Sequence, residues 1–308
     1  MSESKRHHYL PQFYLKSFCK NGFLWLYDRN MDEYRQQTPI NTAVKKKYYT
    51  ITGPDGISHN EVEAVLANVE DKTKPIIEKI NRKESIYLEE KSILAVFIAL
   101  LHVRVPEFEM TINELSEKAL KKYNKIIISN EKKAEILINQ FVITKEQKNV
   151  SPKEVLDFAK NEDYDIKFSR EHSLNLMYSL ARELPFYFIQ MDWQFWHSPK
   201  NSSFITSDNP FIVTSPENYN GPYDIRTKGT KKIVPLSRKV CLVMCDRGER
   251  IINMQVPSKD VRSINYFIAN GCDRFLISRD KSLLESLVKI SKIDKWRKKS
   301  RVKLRGEK

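Results

Sequence analysis

Near residue 190 the chain changes its period, and no other feature narrows the fold as much. Between residues 60 and 190 apolar side chains recur every three or four positions, the spacing of a helix with one buried face. Val62, Val65, Leu66, Val69, Ile76, Ile77 and Ile80 form such a stripe, with Pro75 read as a kink or break. Glu89 to Val105 is apolar on most sides and predicts a buried helix ending at the Val105-Pro106 step. Ile112 to Ile128 is amphipathic, Ser151-Pro152-Lys153-Glu154 opens a further helix as a capping box, and Ser169 to Ile189 is helical around Pro185. After Met191 the texture becomes β-branched and aromatic: Trp193–Trp196, Phe204–Thr206, Ile233-Val234, Val240–Met244 and Ile251–Val256 read as strands. The polar stretch 198–203 suggests a hairpin between the first two of these. A helix over about Ser258–Ala269, a strand over Arg274–Ser278 and a last helix from Asp280 complete the pattern. Helices before the switch and strands after it predict the α+β class, a helical N-terminal and middle part packed on a mostly antiparallel, largely C-terminal sheet.

Before residue 60, Phe23–Asp28 and Tyr48–Ile51 read as short strands, and Pro54-Asp55-Gly56 as a turn. The expected organisation is one domain over 1–291, helix-rich at 60–190 and strand-rich at 191–280, followed by a basic tail at 292–308. With 308 residues, 41% hydrophobic, the chain can bury a sizeable core. Only eight glycines are present, and neither the dinucleotide fingerprint nor the P-loop occurs. Residues 1–8 contain no apolar stretch of a secretory signal. The longest uncharged apolar run, Ser92–Val103, is well short of the roughly 20 residues that cross a bilayer. A soluble, cytoplasmic protein without a membrane partner is expected, with no mark of an oligomeric state. Its four cysteines would then be reduced, and Cys241 and Cys245, four apart on one strand, would share a face as core residues.

Charge points to a partner. The net charge is +14, and residues 292–308 alone carry nine Lys and Arg against two acids, a net +7. Lys295, Trp296, Arg297, Lys298, Lys299 and Arg301 form its centre: cations that follow phosphates around one aromatic ring able to stack on a base. A solvated tail is the plain alternative. Nucleic acid is the expected partner.

Two segments hold side chains suited to chemistry. Arg6-His7-His8-Tyr9-Leu10-Pro11-Gln12-Phe13-Tyr14-Leu15-Lys16-Ser17-Phe18 offers two histidines as general base or metal ligand, or one packed histidine beside one facing solvent. Phe204-Ile205-Thr206-Ser207-Asp208-Asn209-Pro210-Phe211 places Asp208 in a loop after a strand, as acid/base carboxylate, as ligand of a divalent metal such as Mg²⁺, or as an Asx turn. Between them, Arg104 ends the apolar helix beside His102, and Glu63 and Glu70 share a helix face.

These two segments, with Ala95–Arg104 plus Pro106 between them and Val234-Pro235-Leu236-Ser237 after them, occur in an order that resembles the bacterial domain-of-unknown-function family numbered 4238. The resemblance runs from about residue 5 to residue 280 and leaves out the basic tail. It implies a place in anti-phage defence loci, with which members have been associated, and it raises the functional weight of His7, His8, Arg104 and Asp208. The expectation drawn from it is a nucleic-acid-acting effector, in its sharpest form a metal-assisted nuclease with Arg104 holding a phosphate. The alternative is a non-enzymatic module that binds nucleic acid or a phage component, in which both signatures are structural. The nuclease form predicts that His8, Arg104 and Asp208 lie within one cleft.

Overall fold

The structure, a computed structural model, describes residues 6–49, 51–52, 58–59, 61–141 and 150–293. Its elements follow in chain order. The first stretch holds β1 (Arg6–His8), α1 (Gln12–Lys16), β2 (Leu24–Asp28), β3 (Glu33–Gln37), β4 (Val44–Lys46), β5 (Ile51–Thr52) and β6 (Ser58–His59). Six helices come next: α2 (Glu61–Asn81), α3 (Leu88–Val103), α4 (Pro106–Ile127), α5 (Glu131–Phe141), α6 (Pro152–Asn161) and α7 (Arg170–Ile189). The last stretch is β7 (Met191–His197), β8 (Thr206–Ser207), β9 (Ile212–Val213), β10 (Lys232–Pro235), β11 (Val240–Arg247), β12 (Ile251–Gln255), α8 (Ser258–Gly271), β13 (Phe275–Ser278) and α9 (Lys281–Ile293). The class is α+β, with the sheets largely C-terminal. Each of α2 and α7 runs as one helix through its proline, Pro75 and Pro185.

Two compact units result, one from Met1–Glu109 with Leu174–Lys308 and one from Met110–Ser173. In the larger unit a five-stranded sheet has the order β12-β7-β11-β10-β9, antiparallel except for the parallel β12–β7 pair. Strand β11 is buried on both faces. Val240, Leu242 and Met244 enter one core with Leu15, Phe97, Ile98 and Phe188, while Cys241, Val243 and Cys245 enter a second with Phe204, Ile268 and Leu284. Alternation along the strand assigns the two sets, which is why Val240–Met244 reads as an unbroken apolar run and why Cys241 and Cys245 share a face. Helix α3 is apolar all round for the same reason: Leu94, Ala95, Phe97, Ile98, Ala99, Leu101 and Val103 are all buried.

A second, four-stranded sheet has the antiparallel order β3-β2-β13-β8 and unites the N-terminal hairpin with strands from beyond residue 200. The hairpin expected between Trp193–Trp196 and Phe204–Thr206 does not form. Strand β7 pairs with β11 and β12, and β8 pairs with β13. The reason is local: Ser198 N–H donates to the Lys239 carbonyl at 2.9 Å and Phe204 N–H to the Arg238 carbonyl at 2.9 Å, so the 198–204 link is held against the β10–β11 turn.

In the smaller unit α5 packs on α6 around Ile128, Ala134, Leu156 and Ala159. The predicted capping box closes as expected: Glu154 N–H donates to Ser151 Oγ at 3.2 Å, and Ser151 N–H donates to Glu154 Oε2 at 2.7 Å. Pro152 sits at the first helical position, where its missing N–H costs nothing.

Candidate functional site

Antiparallel pairing of β1 with β4 sends His7 inward and His8 toward the surface, as strand alternation requires. His7 is 1% exposed and stacks on Tyr49, and its Nδ1 accepts the Tyr49 N–H at 2.8 Å. That bond places the proton on Nε2, which lies 3.2 Å from Glu63 Oε1, close in distance though not aligned as a hydrogen bond. The lone pair of His7 is therefore spent on backbone. His8 differs. Its Nε2 approaches the Ile40 carbonyl at 3.1 Å, and because a carbonyl can only accept, Nε2 carries the proton and Nδ1 keeps its lone pair. Partial burial lowers the His8 pKa below the ordinary histidine range, outweighing the Ile40 carbonyl that favours the cation. His8 is thus neutral at neutral pH, and its Nδ1 has no hydrogen-bond partner among the described residues.

Helix α2 sets the opposite wall. Glu63 and Glu70 share its face, and each meets a basic partner, Glu63 the His7 ring and Glu70 the Arg104 guanidinium through Nη1 at 2.9 Å. Arg104, at the C-cap of α3, is 2% exposed. Its Nε and Nη2 have no hydrogen-bond partner among the described residues. Beside this pair lies an open cleft of about 200 Å³ lined by His8, Pro11, Gln12, Phe13, Glu70, Asp71 and Lys74. Arg104 does not line it but anchors the carboxylate that does. Lys74 follows Glu70 by four residues, so one turn of α2 presents both charges, a helical signal the sequence does contain.

Asp208 lies elsewhere. After β8 its Oδ1 accepts the Asp273 N–H at 3.0 Å and its Oδ2 the Arg274 N–H at 2.7 Å, while its own N–H donates to the Phe275 carbonyl at 3.0 Å. Burial, and next the neighbouring Asp273 carboxylate, raise its pKa to about 7 against the pull of these N–H groups. Both oxygens serve the entry to β13, and Asp208 is absent from the lining of the His8 cleft. Ser207 and Asn209 close the same turn: Asn209 N–H donates to Ser207 Oγ at 3.2 Å, and Asn209 Nδ2 donates to the Gly271 carbonyl at 3.2 Å. No group of three or more His, Cys, Asp or Glu side chains suited to a metal ion occurs among the described residues.

The signatures do meet, through side chains built for packing. Tyr14 and Thr206 share a buried hydrogen bond of 2.6 Å between their hydroxyls. Ser17 Oγ donates to the Leu236 carbonyl at 3.3 Å, and Ser237 Oγ accepts the Lys239 and Val240 N–H groups at 3.1 Å while donating to Asn81 Oδ1 at 2.6 Å. Of the expected site residues, His8 and Arg104 are brought to one place through Glu70, whereas His7 and Asp208 are bound into the frame. Lys295, Trp296, Arg297, Lys298, Lys299 and Arg301 lie outside the described residues.

Among the described residues no helix is long and apolar enough to cross a membrane. Neither a curated protein nor a solved structure matches the chain. The family described as "Protein of unknown function (DUF4238)" matches residues 6–282, which include both signatures, the Arg104 helix end and the Val234–Ser237 turn. The chain belongs to that family.

Proposed function

We propose that this protein is a nucleic-acid-binding effector of bacterial anti-phage defence, working in the cytoplasm, whose two signatures hold the fold rather than perform chemistry. The observation that carries this reading is the charge, +14 overall with +7 in the last seventeen residues. The bonding of His7 and Asp208 supports it from the other side, because each spends its acceptor atoms on backbone N–H groups. None of the four cysteines is joined in a disulfide among the described residues, which suits a reducing compartment. The defence setting rests on the family resemblance. Fluorescence anisotropy with labelled single- and double-stranded oligonucleotides, at several salt concentrations, tests the proposal. Affinity should fall steeply as salt rises, because each neutralised phosphate contributes about 0.7–0.9 to the logarithmic slope. Absence of binding at low salt overturns it.

A nuclease is the second reading, and one observation favours it: the neutral His8, whose Nδ1 has no hydrogen-bond partner among the described residues, lines a cleft with Glu70, Asp71 and Lys74. Incubating RNA and DNA with the protein and Mg²⁺ or Mn²⁺ separates the two. Cleavage abolished in a normally folded H8Q variant would establish the nuclease. Intact substrates across all conditions leave the binding reading.

A further inference from the structure

Helix α4 is attached to its unit by its polar face. Ser173 Oγ donates to Asn113 Oδ1 at 3.0 Å, Ile166 N–H donates to Glu117 Oε1 at 3.4 Å, and Asn124 Nδ2 donates to Tyr164 Oη at 3.3 Å. Lys121 Nζ lies 5.0 Å from the centre of the Tyr164 ring, and Lys125 Nζ donates to Glu162 Oε1 at 3.0 Å. Asn113, Glu117, Lys121 and Asn124 recur at helical spacing, so they share one face, and that face is laid on residues 162–173. The opposite face carries Ile112, Leu115, Ala119, Tyr123 and Ile126. Tyr123 is 58% and Ile126 71% exposed, Ala119 is exposed as well, and Ile112 and Leu115 are half-buried. None of the five enters a hydrophobic core among the described residues, and none of the 22 residues of α4 is buried. A helix in a folded protein draws most of its stability from burying its apolar face, and here that face points outward.

Two features of α4 identify what covers this stripe. The first is its spacing, which is a palindrome: Leu115 and Tyr123 stand four residues either side of Ala119, and Ile112 and Ile126 stand seven. Turned end for end about Ala119, the stripe lies on itself. Ile112 then meets Ile126, Leu115 meets Tyr123, and the small alanine sits where the two helices approach closest. The second is charge. Every acidic residue of α4 stands at or before Glu117, and every lysine at or after Lys118. An antiparallel pair therefore sets each acidic half beside a basic half, whereas a parallel pair stacks like on like. The helix dipole favours the same order of charge in a lone helix, but it places no demand on the apolar spacing. We infer that α4 is a self-association surface, through which two copies of this chain form a two-fold dimer with antiparallel α4 helices centred on Ala119. The stripe from Ile112 to Ile126 runs about 21 Å at 1.5 Å per residue, nearly four turns of continuous seam. Dimerisation of this kind neither requires nor follows from nucleic-acid binding, and the two can fail separately.

Analytical ultracentrifugation of the full chain under reducing conditions reads the association directly. Wild type should dimerise with a Kd in roughly the micromolar range or tighter. Y123E/I126E should weaken that roughly hundredfold or more, because it puts carboxylates into the apolar seam. Both side chains are exposed in the single chain, so the variant should keep the circular dichroism of wild type. A119R, which changes an exposed residue at the crossing point, should break the dimer as well. Cysteine variants then read the geometry. Under mild oxidation A119C should cross-link to itself. I112C mixed with I126C should cross-link too, but I112C alone should not, since its two copies would lie about 21 Å apart. Wild type oxidised alongside controls for the partly buried Cys19 and Cys245. A wild type that stays monomeric at about 100 μM overturns the dimer. A dimer that survives both Y123E/I126E and A119R, or an I112C chain that cross-links to itself, overturns the antiparallel α4 seam. Monomeric wild type that floats with anionic phospholipid vesicles, an ability lost in Y123E/I126E, would assign the stripe to a membrane surface instead.

Discussion

Asp208 allows the sharpest test of how the second signature works. The residue is 5% exposed, and burial together with Asp273 raises its pKa from the ordinary 3.8 to about 7. The unfolded chain releases this proton near pH 4, whereas the folded chain holds it until about pH 7. Between those values the native state binds more protons than the unfolded state, so stability falls as pH rises through the window and levels off above it. At about 1.36 kcal/mol for each tenfold change in proton affinity, the full effect is about 4 kcal/mol. Replacing Asp208 with asparagine removes the titration and keeps the side chain's size. Urea unfolding of wild type and D208N, measured from pH 4 to pH 8, isolates the contribution, since every other titrating group cancels in the difference. The difference should move in favour of D208N by about 4 kcal/mol over the range, most of it between pH 4 and 7. An opposing force acts on the same carboxylate: backbone N–H groups of Asp273 and Arg274 donate to the two oxygens and stabilise the anion. A difference that stays flat, or that moves toward wild type as pH rises, would mean those donors win, and the reasoning from burial would be refuted.

Two other substitutions probe the ties between distant segments. Tyr14→Phe removes the buried 2.6 Å bond to Thr206 and should cost about 1–2 kcal/mol in urea unfolding with the far-ultraviolet circular dichroism unchanged. Glu70→Gln leaves the Arg104 charge, 2% exposed and bonded through one nitrogen, without its counter-ion, a loss of about 2–4 kcal/mol. The double variant E70Q/R104M should recover most of that loss, because it also removes the two guanidinium nitrogens that lack partners; a double variant weaker than E70Q contradicts this account.

Much of the fold was legible because burial writes a period into the sequence. The stripe of α2, the all-apolar α3 and the two-sided β11 each show the pattern that their surroundings demand. The capping box at Ser151 was legible because it is chemistry within four residues. Strand β3, Glu33-Tyr34-Arg35-Gln36-Gln37, was not, because it is the outer strand of its sheet and its polar side chains carry no alternation. Strands β1 and β4 are three residues each, too short for a period of two to appear. Pairing was hidden as well. Thr206 and Ser207 turn away from their sequence neighbour β7 to join β13, a choice fixed by the 198–204 link and by a tyrosine 192 residues earlier. At the site, the shared face of Glu63 and Glu70 followed from helical spacing, but their partners His7 and Arg104 come from other elements, which spacing along one helix does not encode.

The polar residues of the signatures share a physical task. Asp208, His7, Ser207 and Ser237 each accept backbone N–H groups where strands begin, end or turn. Ladder hydrogen bonds run out at those places, and an unpaired buried N–H costs about as much as a lost hydrogen bond. A short side chain with a fixed acceptor repairs the deficit, so folding alone can demand such residues at such positions. The useful distinction within a signature is therefore which atom has an acceptor or donor left over. By that measure His8 stands apart, since its Nε2 is engaged and its Nδ1 has no hydrogen-bond partner among the described residues, and the residue lines a cleft with a carboxylate held in place by a buried arginine. The nearest charges in that cleft are two carboxylates and one lysine, a poor landing site for a phosphate polymer compared with the basic segment 292–308. The proposed recognition of phosphate and any proton transfer by His8 thus fall on different parts of this chain. A substitution at one should leave the other intact: H8Q should bind oligonucleotides as wild type does, and loss of binding in a folded H8Q protein would show that the two are one site.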